Sequence, residues 1–141
     1  MDLQYRTISD GIDWEVLKSD LIADDFHNGR TTWQLQTSFE NSQVQIYVLD
    51  SARCIGTARA LSDGICNAYV IDVWTQSGYR NLGIASKMME LIIKACPGQH
   101  IYLFSDDAVE FYKKNGFVER PVGLEMVSGE WLHNDPDTGT P

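Results

Sequence analysis

No stretch of this 141-residue chain is apolar over the length a membrane crossing needs: charged or amide residues break every run although 43% of the side chains are apolar. Basic residues are scarce. Eleven Lys and Arg stand against 20 Asp and Glu, a net charge of −9. That balance excludes nonspecific binding to nucleic acid or to an anionic membrane, both of which need basic surface. It suits a cationic ligand, and it equally suits plain solubility. Cysteine is sparse and odd in number: Cys54, Cys66 and Cys96 form no Cys-x-x-Cys, and His27, His100 and His133 are scattered. No metal site is expected, and reduced thiols in a cytoplasm are. The opening Met-Asp-Leu-Gln-Tyr-Arg has neither the basic nor the apolar region of a signal peptide, which points to the same compartment. The phosphate loop Gly-x-x-x-x-Gly-Lys-(Ser/Thr), the dinucleotide fingerprint Gly-x-Gly-x-x-Gly and internal repeats are all missing.

What is present reads as one domain over residues 1–127, long enough for a real core, followed by a polar tail over 128–141 that is partly mobile once Trp131 and Leu132 have docked. Alternation marks strands at residues 4–8, 44–49 and 53–61, and Asp63-Gly64 turns the chain into a returning strand at 66–75. Helical spacing marks residues 13–26, with Asp10 or Asp13 as cap, and a weaker helix at 31–39. Ile84, Met88, Leu91, Ile92 and Ala95 give the clearest apolar stripe, over residues 84–95, stopped by Pro97-Gly98. Residues 100–104 read as a buried strand and 107–114 as a short helix. That helix has Asp107 and Glu110 in capping-box spacing and Gly116 at its left-handed end. Residues 121–127 read as a last strand. The order predicts an α/β fold with a mixed sheet, antiparallel early and with one parallel crossover at the 84–95 helix.

The most informative stretch is residues 69–85, where a β-branched run enters a Gly-containing turn and then Arg80-Asn81-Leu82-Gly83-Ile84-Ala85 opens a helix. A strand running into such a turn leaves free N–H groups at the positive end of the helix dipole, which is where a pyrophosphate binds. Arg80-x-x-Gly83-x-Ala85 resembles the coenzyme A loop of the GCN5-related N-acetyltransferases (GNAT), written (Gln/Arg)-x-x-Gly-x-(Gly/Ala). Phe111-Tyr112-Lys113-Lys114-Asn115-Gly116-Phe117 resembles the same family's Phe-Tyr-x-x-x-Gly-Phe segment. The resemblance covers roughly residues 43–126.

The resemblance implies a mostly antiparallel sheet flanked by helices, with a splayed parallel strand pair between 66–75 and 100–104 into which pantetheine inserts. It implies acetyl-CoA as acetyl donor and no metal. Backbone groups of Val73 and Thr75 would hold the pantetheine arm, and an N–H at Val73 or Trp74 would face the thioester oxygen. The N–H groups of Asn81, Leu82, Gly83, Ile84, Ala85 and Ser86 would cradle the pyrophosphate, with Arg80 as a charged partner and the Ser86 hydroxyl as a further donor. Tyr112 is the family's acid for the departing thiolate; a phenol with a pKa near ~10 stays protonated at neutral pH. Read without the family, Tyr112 is a core residue beside Phe111. Asp72, a carboxylate inside an apolar strand, matches an acidic position of the family and is the candidate base, directly or through water; the alternative is a structural aspartate. Asp106 and Asp107 are further candidates for the base. The family's Asn before the last helix is replaced here by Ser105-Asp106-Asp107.

Trp33 and Phe39 lie in the segment that covers the cleft in the family and are candidates to wall the acceptor pocket, or else core residues. Arg59 belongs to a segment, Arg59-Ala60-Leu61-Ser62-Asp63-Gly64, resembling a hairpin of cyanobacterial and plastid arylalkylamine acetyltransferases, or is part of an ordinary hairpin. The expected partner is a small cationic or aryl-alkyl amine, with no nucleic acid and no membrane, and the family implies a homodimer. Two other functions stay open: a lysine or N-terminal protein acetyltransferase, and a CoA-binding sensor without turnover.

Overall fold

The computed structural model describes residues 1–136. Five strands form one sheet in the order β1-β2-β3-β4-β5: β1 (Leu3–Arg6), β2 (Val44–Asp50), β3 (Arg53–Ser62), β4 (Asn67–Thr75) and β5 (His100–Tyr102). The first three pairings are antiparallel and the last, β4 with β5, is parallel. The helices are α1 (Trp14–Ala23), α2 (Thr32–Glu40), α3 (Ile84–Ala95) and α4 (Val109–Lys114), and a 3₁₀ turn sits at Ser77–Tyr79. The mixed α/β sheet expected from the sequence is the one observed.

Each face of the sheet has its own core. On one, Ile84, Met88, Met89 and Ile92 of α3 pack on Ile46, Val48, Ile55, Ala58, Ala60 and Val70, with Phe111, Tyr112 and Phe117 alongside. On the other, Trp14, Leu17 and Leu21 of α1 and Leu35 and Phe39 of α2 meet Tyr47, Leu49, Cys54 and Trp74. Burial in the second core pushes the Cys54 thiol up to about 12, so it stays an inert thiol. In the α3 stripe, Met89 and then Cys96 are buried where the sequence suggested Ala95, which is exposed.

Strand β4 carries a bulge. Thr57 faces Trp74, but Arg59 faces Ile71, so Asp72 and Val73 stand opposite one residue, Ala58. Asp72 adopts the left-handed region with φ 57°, as the bulged position of such a kink can. One extra residue reverses the alternation. Val70 therefore belongs to the α3 core, whereas Trp74, an even number of residues later, belongs to the α1–α2 core.

Several boundaries differ from expectation. Helix α1 stops at Ala23 because Asp25 turns left-handed, φ 55°. Helix α2 is fixed by a capping box between Thr31 and Gln34. The expected box on Asp107 does not form: α4 starts after Ala108, whose N–H is held by Ser105 Oγ at 3.0 Å. Strand β5 is shorter than 100–104 and half exposed, since it is the sheet edge. The last strand expected at 121–127 is absent. Val122, Leu124 and Met126 alternate as a strand should, yet are 81%, 90% and 86% exposed, because alternation without a paired neighbour does not make a strand. In the expected tail, Gln34 Nε2 donates to Leu132 O at 3.0 Å and Trp131 Nε1 to Asn28 O at 3.4 Å. Residues 137–141 of that tail lie outside the described residues.

Candidate active site

Strands β4 and β5 pair only from Asn67↔His100 to Tyr69↔Tyr102. Beyond that β4 continues to Thr75 without its neighbour, and a cleft of about 360 Å³ opens between the two chains. Its β4 wall is Tyr69 to Val73; the opposite wall is Leu103 to Ala108, with Tyr112 of α4 and Phe26 closing it. Thr75 Oγ1, at the end of β4, is buried without a hydrogen-bond partner among the described residues. A buried hydroxyl in that state is a site for a ligand atom or a water.

The loop from Gln76 to Gly83 leads from this wall to α3. Gly83 is the cap residue of α3 at φ 81°, makes no side-chain cap and is followed by no acidic residue in the first turn. The first N–H groups of α3 thus lack a side-chain partner, which is the arrangement an anion completes. Space around Gly83 is open. Its requirement for glycine comes from the positive φ, which L side chains rarely adopt, as well as from room for a ligand. Asn81 is left-handed too, φ 63°. Arg80 is half exposed; its Nε donates to Thr75 O at 3.2 Å and its Nη2 lies 3.8 Å from Asp24 Oδ2. The 3₁₀ turn before it is anchored on the far side by Tyr79 Oη, which donates to Asp50 Oδ2 at 2.6 Å.

Tyr112 lines the cleft with its ring edge-on to Phe111 and Phe117. Burial, and then the Asp107 carboxylate, push its phenol above the ordinary value of 10.0. It keeps its proton at neutral pH and can donate it.

Asp72 is held tightly. Its Oδ2 accepts from Arg30 Nη1 at 2.8 Å and from Arg59 Nε at 2.7 Å, and its backbone oxygen accepts from Thr57 Oγ1 at 3.1 Å. Arg30 and Arg59 are 7% and 12% exposed. Three elements, the α1–α2 loop, β3 and β4, therefore meet on one oxygen at the bulge. Two guanidiniums on one carboxylate leave an excess of positive charge, which neutral acceptors help to hold: His27 O for Arg30, Ser38 O and Ser42 Oγ for Arg59.

The sequence candidates for the acceptor wall do not come together. Phe39 is 1% exposed, sandwiched by Trp14 and Tyr47 at 5.8 Å, and is a core residue. This corrects its reading as a wall. Arg59 lies over the Phe39 ring at 5.5 Å, and Trp33 is exposed on α2; neither lines the cleft. Residues that do line it and were not singled out include Phe26, Tyr69 and Phe104. Their sequence signal was hidden. Phe26 passed for the end of a helix, and the other two for ordinary strand residues. No group of His, Cys, Asp and Glu among the described residues is arranged to hold a metal.

The profile of the acetyltransferase (GNAT) domain family matches residues 40–119. Histone acetyltransferase TAP1 of Glycine max is 36% identical over 80 residues, 54% of this chain and 35% of that protein. Chloroplastic serotonin N-acetyltransferase 2 of Oryza sativa subsp. japonica is 30% identical over 104 residues, 67% of this chain and 52% of that protein. The chain thus spans between about a third and a half of these curated relatives. A Clostridium acetobutylicum structure, described as a predicted acetyltransferase with acetyl-CoA, superposes with a TM-score of 0.67 at 22% identity, over 89% of this chain and 96% of that one.

Proposed function

Because the chain belongs to the GNAT acetyltransferase family, we propose that it moves the acetyl group of acetyl-CoA to a primary amine, with a small cationic or aryl-alkyl amine as acceptor, by direct attack in a ternary complex. The observation that carries this reading is the cleft where β4 leaves β5, with a protonated tyrosine on its wall and with its β4 strand running on into the loop that opens the uncapped helix α3. Bound acetyl-CoA supplies an activated thioester. The N–H groups of Asn81 to Ser86 hold its pyrophosphate, and Arg80 adds a nearby positive charge. Backbone groups of Val73 and Thr75 hold the pantetheine arm, with Thr75 Oγ1 as an additional partner. An N–H at Val73 or Trp74 meets the carbonyl oxygen as it gains charge. Tyr112 gives its proton to the departing thiolate.

In this reading Asp72 acts first as the lock of the bulge, since Oδ2 already serves two arginines. Its Oδ1, or a water on it, is what remains to accept the ammonium proton. Asp72 is answered by its two arginines, but Asp106 and Asp107 also line the cleft, with no Lys or Arg among the lining residues, which favours a cationic acceptor.

Thiol release over a panel of aryl-alkyl amines and polyamines, beside calorimetric titration with acetyl-CoA, tests the proposal. Amine-dependent release with saturable acetyl-CoA binding supports it. Acetylation of histone peptides without any small amine would overturn the acceptor class in favour of a protein substrate. Binding with no acceptor at all would favour a sensor. A chain that does not bind acetyl-CoA would overturn the whole assignment.

A further inference from the structure

Helix α1 ends badly by local rules. Asp20, Asp24 and Asp25 crowd its C-terminus, with no basic residue in the last turn, although the helix dipole disfavours carboxylates there. Asp20 is answered by Arg53, whose Nη2 lies 2.6 Å from it. Asp24 is answered by the loop that leads to α3. Its side chain is 9% exposed, and one oxygen, Oδ2, accepts from Trp74 Nε1 at 2.9 Å and from the Ser77 N–H at 3.0 Å. Arg80 Nη2 lies 3.8 Å from the same oxygen. A residue that breaks a local rule and is then engaged at long range is kept for that engagement.

The three partners are not equivalent. Trp74 ends the strand that walls the cleft, Ser77 begins the 3₁₀ turn, and Arg80 opens the glycine loop. The β4 bulge alone brings the Trp74 indole to this side of the sheet. Resting on the acetyl-CoA reading above, we propose that Asp24 is the positioning residue of the cofactor site: it ties the strand that would hold pantetheine to the loop that would hold pyrophosphate. Arg80, 3.8 Å from Asp24 Oδ2, offsets part of the carboxylate's charge and so lessens its repulsion of a nearby anion. Asp24 touches neither ligand nor reacting atoms; it acts through Trp74, Ser77 and Arg80.

The test compares the full chain with Asp24→Ala and Asp24→Asn by calorimetry, initial rates and amide exchange. Losing hydrogen bonds to a charged, largely buried acceptor is expected to raise KM for acetyl-CoA by about tenfold or more in Asp24→Ala, with kcat and the amine KM within about twofold of wild type. The Ser77 amide should exchange faster. Asp24→Asn keeps an acceptor oxygen and should restore most of the affinity. Should Asp24→Ala not fold, Ser77→Pro removes one of the donors at the first position of the turn. Gln76 before it is already extended, with φ −54° and ψ 139°, which a following proline accepts. A raised acetyl-CoA KM with unchanged kcat is again expected. An Asp24→Ala or Ser77→Pro chain that folds and binds acetyl-CoA like wild type overturns the inference alone. So does an equal loss in kcat and both KM values. A wild-type chain that does not bind acetyl-CoA overturns the cofactor reading and takes this inference with it.

Discussion

Asp72 Oδ2 is shared by two guanidiniums that are both largely withdrawn from water, so the consequence of losing it is large and structural. Removing one partner of a buried ion cluster strands the remaining charges. Asp72→Ala should lower the unfolding free energy by about 3 kcal/mol in urea titration, and Asp72→Asn, which still offers an oxygen, by less. Tyr112 behaves differently. Its hydroxyl makes no hydrogen bond to the described residues, and its phenol is pushed above 10.0 by burial. Tyr112→Phe should therefore leave acetyl-CoA affinity and thermal stability nearly unchanged while kcat falls by about tenfold to a hundredfold, the scale of a lost general acid. The acid is competent while protonated, below its pKa. In the wild type any alkaline loss of kcat due to Tyr112 should therefore have its midpoint above pH 10.0; a limb near neutrality that vanishes in Tyr112→Phe would contradict this.

At the scale of elements, α3 is the piece whose two ends do different work. Its apolar stripe fills a core and its N-terminus stays open. Gly83→Ala should cost about 1–2 kcal/mol from forcing a side chain into φ 81°, and Gly83→Glu should in addition abolish acetyl-CoA binding by placing a carboxylate at the anion site; calorimetry separates the two effects. The bounds of this helix were legible in the sequence, because a 3.6-residue apolar stripe between a glycine loop and Pro97-Gly98 needs no tertiary information, though its buried face takes in Met89 and Cys96 and leaves out Ala95. The hairpin at Asp63-Gly64 was legible for the same reason. Elements set by long-range partners were not. Residues 121–127 carry the alternation of a strand but form none among the described residues, and α4 starts with no side-chain cap, Ser105 Oγ rather than Asp107 accepting at its entry, from the Ala108 N–H. At the site, the loop and the cleft tyrosine follow from local motifs, whereas Arg30, Asp24 and Phe26 arrive from a distant loop and helix end that no spacing rule connects to β4.

For the molecule as a whole, acidity sets the conditions of stability. Tyr79 and then the Asp2 N–H hold the Asp50 carboxyl below 3.8, and the N–H groups of Ile65, Cys66 and Asn67 do the same for Asp63. A folded-state pKa below the unfolded one gives stability that is complete above the unfolded value and drains as pH falls through the folded one. Melting temperature should therefore be insensitive to these two groups above about pH 5 and fall steadily below 3.8. Asp63→Asn should flatten part of that acid limb.

The bulge at Asp72 bears on how this chain tolerates changes of length. A single residue deleted from Asp72-Val73 would restore regular alternation to β4 and leave Trp74 opposite Thr57, on its present side of the sheet. What would be lost is the hold of Asp72 on Arg30 and Arg59: the carboxylate is either removed or turned, two residues after Val70, toward the apolar α3 core, and both buried guanidiniums are stranded. The same deletion in the exposed Asp63-Gly64 turn would shorten a loop and leave both cores intact. Natural variants in chain length are therefore expected at the hairpin and excluded at the bulge, and a scan of single-residue deletions along residues 60–78, scored by soluble yield, would show a sharp minimum at 72–73.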